Sequence, residues 1–160
     1  VYMSHGSQQW RGYPPVHPRI RRYIAHSTCV GDWLIDKLGI QRRQFLLVPN
    51  FVDVRRFQEV RRLPEEPRRA LIYDRTTAPG RHLDAIHHAC RNCGIELDFV
   101  GNLVGKAPVR PEIMLPKYDL VFASGRSAIE ALAAGCAVIT FNGGRCGKLV
   151  TSQNLSLIHI

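Results

Sequence analysis

The run Asp119-Leu-Val-Phe-Ala-Ser-Gly-Arg-Ser-Ala-Ile-Glu-Ala-Leu-Ala-Ala-Gly-Cys-Ala-Val-Ile139 decides the fold. It opens on an apolar strand pattern over 119–123 and turns through Ser124 and Gly125. A helical pattern over 127–134 follows, closed by Gly135, and a second apolar strand over 136–141 comes at once. Strand, helix and strand in such close succession predict parallel pairing through a right-handed crossover.

Working outward, the alternation repeats upstream. Residues 70–73 read as a strand, 81–93 as a helix closed by Gly94, and 96–100 as a strand ended by Gly101. A loop containing Pro108, Pro111 and Pro116 leads back to the opening run. Nearer the start, 1–4 reads as the end of a strand and 23–25 as a short strand. Ser27 is placed to cap a helix with Val30, Trp33, Leu34 and Leu38 on one face, closed by Gly39. Residues 45–48 form an apolar strand stopped by Pro49. The predicted class is α/β, with a doubly wound parallel Rossmann-like sheet preceded by the end of a second such domain. The expected division is 1–50 for that first part, 51–69 for an interdomain linker, and 70–154 for a truncated nucleotide-binding domain. Residues 155–160 resemble a translated sequencing adapter and are set aside as a non-native tail, so the chain is expected to be a fragment.

The formal net charge is +9, unevenly spread. Residues 1–69 hold 13 Lys/Arg against 6 Asp/Glu, and 70–160 hold 9 against 7, so the excess belongs to the first part. Five arginine pairs carry much of it: 21–22, 42–43, 55–56, 61–62 and 68–69. Such a face suits anionic lipid, nucleic acid or a phosphorylated substrate, and equally a solvated surface in an arginine-biased protein. No apolar run approaches the roughly 20 residues a bilayer span needs. The expected location is therefore cytoplasmic, at most peripheral at the inner face of the plasma membrane. Five scattered cysteines imply no disulfide framework. Cys90-x-x-Cys93 ends a helical pattern, and with Leu83 and Ile86 it forms one stripe. Both thiols are therefore expected in the core rather than on a metal.

In doubly wound sheets ligands bind at the carboxyl ends of strands. Three such ends carry candidate chemistry: Asp74-Arg75, Gly101-Asn102 and Ser124 to Ser127. At the third, the first helical N–H groups lack intrahelical partners and sit at the positive end of the macrodipole. Gly125 lets an anion approach the backbone, while Ser124 and Ser127 offer hydroxyl donors beside Arg126. Glu130, expected on the first turn, is a candidate acceptor for a ribose diol. Ser127-x-x-Glu130 also fits a capping box, in which Glu130 folds back onto its own helix terminus.

The run 119–139 resembles the donor-site motif of GT-B glycosyltransferases, especially family-4-like enzymes. Val48-Pro-Asn-Phe-Val-Asp53, with Phe57, resembles the element at the junction of the two GT-B domains, and the spacing between the segments agrees. Gly147 to Thr151 resembles the loop that leads to the final helices. The resemblance covers residues 2–154. It implies that Glu130 holds the nucleotide ribose, and that Ser124, Gly125, Arg126 and Ser127 face the diphosphate. It further implies that Arg75 and Arg81 neutralise the phosphates, that Gly101 lines the site, and that His5 is the catalytic residue approaching the sugar. The expected activity is transfer of a sugar from a nucleotide-diphosphate sugar to a sugar, polysaccharide or lipid-linked acceptor, in cell-envelope or extracellular polysaccharide synthesis. No cofactor or metal is implied. Many retaining members carry a second Glu eight positions before the ribose Glu, where this chain has Phe122. The fragment alone is expected to bind a nucleotide weakly and not to transfer sugar.

Two other classes stay open at this point. A nucleotide-sugar binding or epimerising protein needs acidic groups in the cleft, with Glu130, Asp74 and Glu112 the candidates. Nucleic-acid binding rests on the arginine pairs alone, without an aromatic-interleaved basic strand or a helix–turn–helix pattern.

Overall fold

The computed structural model describes residues 1–4, 14–57, 61–74, 81–101, 110–142, 145–155 and 158. The chain divides into two compact units, Val1–Asn50 and Phe51–Ile158.

The first unit holds a three-stranded parallel sheet in the order β1 (Tyr2–Ser4), β2 (Tyr23–Ala25), β3 (Phe45–Leu47). Between β2 and β3 runs α1 (Thr28–Leu38). Its N-terminus is capped by Ser27, whose hydroxyl accepts from the Val30 N–H at 3.3 Å. Gly39 ends it in the left-handed region at φ 64°, where a side chain would be strained. Val30 and Leu34 of α1 pack on Tyr23 and Ala25 of β2, which is this unit's core.

The second unit is a five-stranded sheet in the order β5-β4-β6-β7-β8. Its strands are β4 (Arg69–Tyr73), β5 (Glu96–Val100), β6 (Leu120–Ala123), β7 (Ala137–Asn142) and β8 (Arg145–Leu149). The first four are parallel, and β8 returns antiparallel to β7. Residues 147–151 were expected in a loop; most of that stretch is instead the end of this edge strand. Gly147 permits the pairing, because a Cβ there would lie 2.1 Å from the Thr140 hydroxyl oxygen.

Strand periodicity sorts side chains onto two faces. Ala70, Ile72 and Phe122 meet Leu83, Ile86 and Cys90 of α2 (Arg81–Asn92). Leu71, Tyr73, Val121, Ala123 and Val138 meet Ala128 and Ala131 of α4 (Gly125–Ala133). Helices thus cover both faces, which is why these strands read as continuous apolar runs. The Pro-rich stretch before β6 is not all loop. Pro111 occupies the first turn of α3 (Pro111–Met114), where its missing N–H costs nothing, and a 3-10 turn over Leu115–Lys117 follows.

One further expectation, that both thiols lie in the core, is corrected. Cys90 is buried but Cys93 is exposed, because the chain leaves the helix at Asn92 before the stripe completes another turn. Ile158, from the stretch set aside as a tail, is buried in the α4-side core. Phe57 and Val52 belong to that same core, so the segment expected as a linker contributes side chains to the second unit. No helix among the described residues is long and apolar enough to cross a membrane.

Candidate functional site

The chain passes from β4 to β5 on one side and then back past β4 to β6, so the strand order reverses between β4 and β6. The carboxyl ends of those two strands, Tyr73-Asp74 and Ala123-Ser124, frame the crevice where open α/β sheets bind ligands.

At the β6 end, Ser124 is extended and Gly125 turns the chain at φ 52°. That left-handed residue starts α4 two positions earlier than the pattern over 127–134 suggests. The Ser124 carbonyl accepts from the Ala128 N–H at 3.3 Å. Arg126 and Ser127 therefore fall on the first turn and Glu130 on the second. The Ser124 hydroxyl makes no capping bond. Replacing Gly125 by alanine is expected to cost about 1–2 kcal/mol, the penalty of a Cβ in the left-handed region. A urea midpoint unchanged by that substitution would refute the strain.

The capping box does not form. Glu130 is buried at 4% exposure, and both of its carboxylate oxygens accept from side chains. Oε2 accepts from the Tyr73 hydroxyl at 2.9 Å, and Oε1 accepts from Arg126 Nε at 3.0 Å. Tyr73, fully buried at the last position of β4, thereby ties the β4 end to α4 across the point of strand reversal. Sequence reasoning missed Tyr73, because in a strand it reads as one more apolar residue. Its only local signal was a polar tip at the end of a buried run, where a buried phenol needs a partner.

Gly101 ends β5 against β4: a Cβ there would lie 2.0 Å from the Asp74 carbonyl oxygen. Its observed role is close backbone approach, which brings the β5 end beside the β4 end. Phe122 is buried on the α2 face, pointing into the core opposite α4. His5 and Arg75 lie outside the described residues, as does the side chain of Arg81, whose backbone opens α2. Glu112 is held elsewhere, on α3, between Arg56 at 2.8 Å and Arg110 at 3.1 Å. Its own backbone N–H, then Arg56 and Arg110, outweigh desolvation and hold its carboxyl below the ordinary range.

The opposite end of the sheet carries a separate network. Burial and a hydrogen bond to Asp98 Oδ2 at 2.9 Å push the Tyr118 phenol up to about 12. An open groove of about 810 Å³ lies there too, lined by Pro64, Glu66, Arg68, Cys93 and Ile95. It sits at the amino ends of β4 and β5, away from the strand carboxyl ends. The described residues contain no cluster of three or more His, Cys, Asp or Glu able to hold a metal.

Among solved structures, the chain is similar to a glycosyltransferase from Rickettsia africae ESF-5, with a TM-score of 0.52 at 14% identity. The chain has a glycosyltransferase-like fold. The match covers 79% of this chain and 46% of that one, so the chain spans about half the neighbour's length. No family model matches the sequence, and no curated protein matches it. At 14% identity the likeness speaks for the glycosyltransferase-like α/β fold and not for any residue's role.

Proposed function

We propose that the second unit is the donor site of a glycosyltransferase that uses a nucleotide-diphosphate sugar. The observation that carries this reading is the buried Glu130 carboxylate, held by Tyr73 where the strand order reverses, one turn beyond a glycine-opened helix start. A carboxylate so placed is an acceptor for a ribose diol, and the first N–H groups of α4 are donors for phosphate. In glycosyl transfer the leaving group is a nucleoside diphosphate, and negative charge gathers on its oxygens. Donors fixed before the reaction stabilise that charge without reorganising. In this reading Ser124, Gly125, Arg126 and Ser127 face the diphosphate, Arg75 and Arg81 add cationic charge, Gly101 lines the site, and His5 serves the sugar. The finer assignment is to a GT-B, family-4-like enzyme. Its acceptor would be a sugar, polysaccharide or lipid-linked sugar, in cell-envelope or extracellular polysaccharide synthesis.

Thermal unfolding with uridine, adenosine or guanosine diphosphate tests the reading. A nucleotide at about one hundred times its Kd is expected to stabilise the chain by about 2.7 kcal/mol. Glu130→Gln is expected to remove most of that gain while still offering an oxygen to Tyr73, which alanine would orphan. Full stabilisation in Glu130→Gln would refute the ribose assignment.

A further inference from the structure

The two hydrogen bonds on Glu130 differ in kind. Tyr73 is 0% exposed, and its ring is packed among Leu71, Val121 and Ala128 on the α4 face. Arg126, four residues before Glu130 on the same helix, has a side chain 69% exposed to water. The phenol has few torsions and lies within the core. The guanidinium ends a long chain that water can solvate at little loss, as expected of an exposed i,i+4 pair. A carboxylate offers about four acceptor directions. It cannot donate, so the Tyr73 O–H points at Oε2 and fixes the plane of the carboxylate.

We infer that Tyr73 is the positioning residue of the nucleotide site, presetting Glu130 for a ribose diol, while Arg126 is a placeholder that the ribose displaces. This rests on the donor-site reading above and adds to it a fixed donor and an exchangeable one. The diol hydroxyls donate to Glu130 where Arg126 Nε donated, and the released guanidinium, on the first turn of α4, turns to the diphosphate. Without Tyr73 the carboxylate rotates, and the two hydroxyls are no longer met together. Tyr73 then sets selectivity for ribose over deoxyribose, and leaves phosphate affinity alone.

The test is calorimetric titration of the 160-residue chain with uridine and adenosine diphosphates, their 2′-deoxy forms, and inorganic diphosphate. The wild type is expected to prefer the ribose form by about tenfold or more, the scale of a hydrogen bond to a charged group. Tyr73→Phe is expected to bring that preference to within about twofold and leave inorganic diphosphate affinity unchanged. Arg126→Ala is expected to keep the ribose preference and weaken diphosphate binding. A preference lost in Glu130→Gln but intact in Tyr73→Phe overturns this inference alone. A preference intact in Glu130→Gln, or absent in the wild type, overturns the donor-site reading and this inference with it. Should Tyr73→Phe fail to fold, NMR of the wild type decides. Nucleotide must move the Arg126 Nε resonance and leave the Tyr73 Cζ resonance in place. An Arg126 Nε that does not move overturns the displacement.

Discussion

Replacing Asp119 by alanine is expected to destabilise the second unit by about 3 kcal/mol, read as a fall in the urea midpoint of its circular dichroism. Asp119 stands just before β6 and is buried. Its Oδ2 accepts from the backbone N–H groups of Arg68 and Arg69 at 2.8 and 3.0 Å. Its Oδ1 accepts from the Arg61 guanidinium at 3.1 Å, and that guanidinium also donates to the Tyr118 carbonyl. One carboxylate therefore serves two backbone donors at the entry to β4 and one cation. Alanine removes all three partners at once, and a buried N–H left without an acceptor costs about 1–3 kcal/mol. Arg61 recovers part of its loss by turning to water, since its side chain is a quarter exposed, which keeps the total below that of a fully buried pair.

The same site gives the effect a pH signature. Burial pushes the Asp119 carboxyl up, but the hydrogen bonds from Arg68, Arg69 and Arg61 outweigh it, and the net shift is downward. A carboxyl depressed in the folded state stabilises fully above its unfolded value of about 3.9, and the contribution fades as pH falls through the folded value. The gap between wild type and Asp119→Ala should hold steady from about pH 7 to 5 and narrow below about pH 4. A gap as large at about pH 3 as at about pH 7 would show that the loss is packing rather than charge.

What the sequence made legible was whatever repeats along the chain. Apolar runs, left-handed glycines at 39, 94 and 135, and a serine before an amphipathic stretch carry their meaning within a few residues, and the elements they predict are present. What it concealed depends on distance. Tyr73 and Glu130 are 57 residues apart, and nothing near either shows that a phenol and a carboxylate will meet. The start of α4 was misplaced for a local reason. Gly125 reads equally as a loop residue and as the left-handed opening of a helix, and the choice moved Glu130 from the first turn to the second. The same shift turned Ser127-x-x-Glu130 from a cap into two separate side chains. The β7–β8 pairing was hidden because a Gly-Lys-rich edge strand, exposed along its length, carries little apolar signal.

Gly101→Ala is expected to cost about 3 kcal/mol, several times what a glycine in a loop normally repays. The reason is a single close approach. The Cβ of an alanine would fall 2.0 Å from the Asp74 carbonyl oxygen and 3.2 Å from its carbon, and both are backbone atoms. No rotamer relieves such a contact. Either β5 or β4 must shift, against a ladder that pairs Ile72 with Phe99 and Tyr73 with Val100. The proper control is Gly94→Ala. Gly94 has φ 67° and nothing within 4 Å of the added carbon, so its cost is backbone strain alone, about 1–2 kcal/mol. The two variants thus separate strain from collision. If the urea midpoints fall equally, the two strand ends do not approach as closely as described. If Gly101→Ala falls further, hydrogen exchange should place the damage at the amides of Tyr73 and Val100, while those at Arg69 and Glu96 stay protected. Tyr73 is the residue that holds Glu130, so the collision reaches the candidate donor site through the strand. Ribose selectivity should then decline in Gly101→Ala and persist in Gly94→Ala.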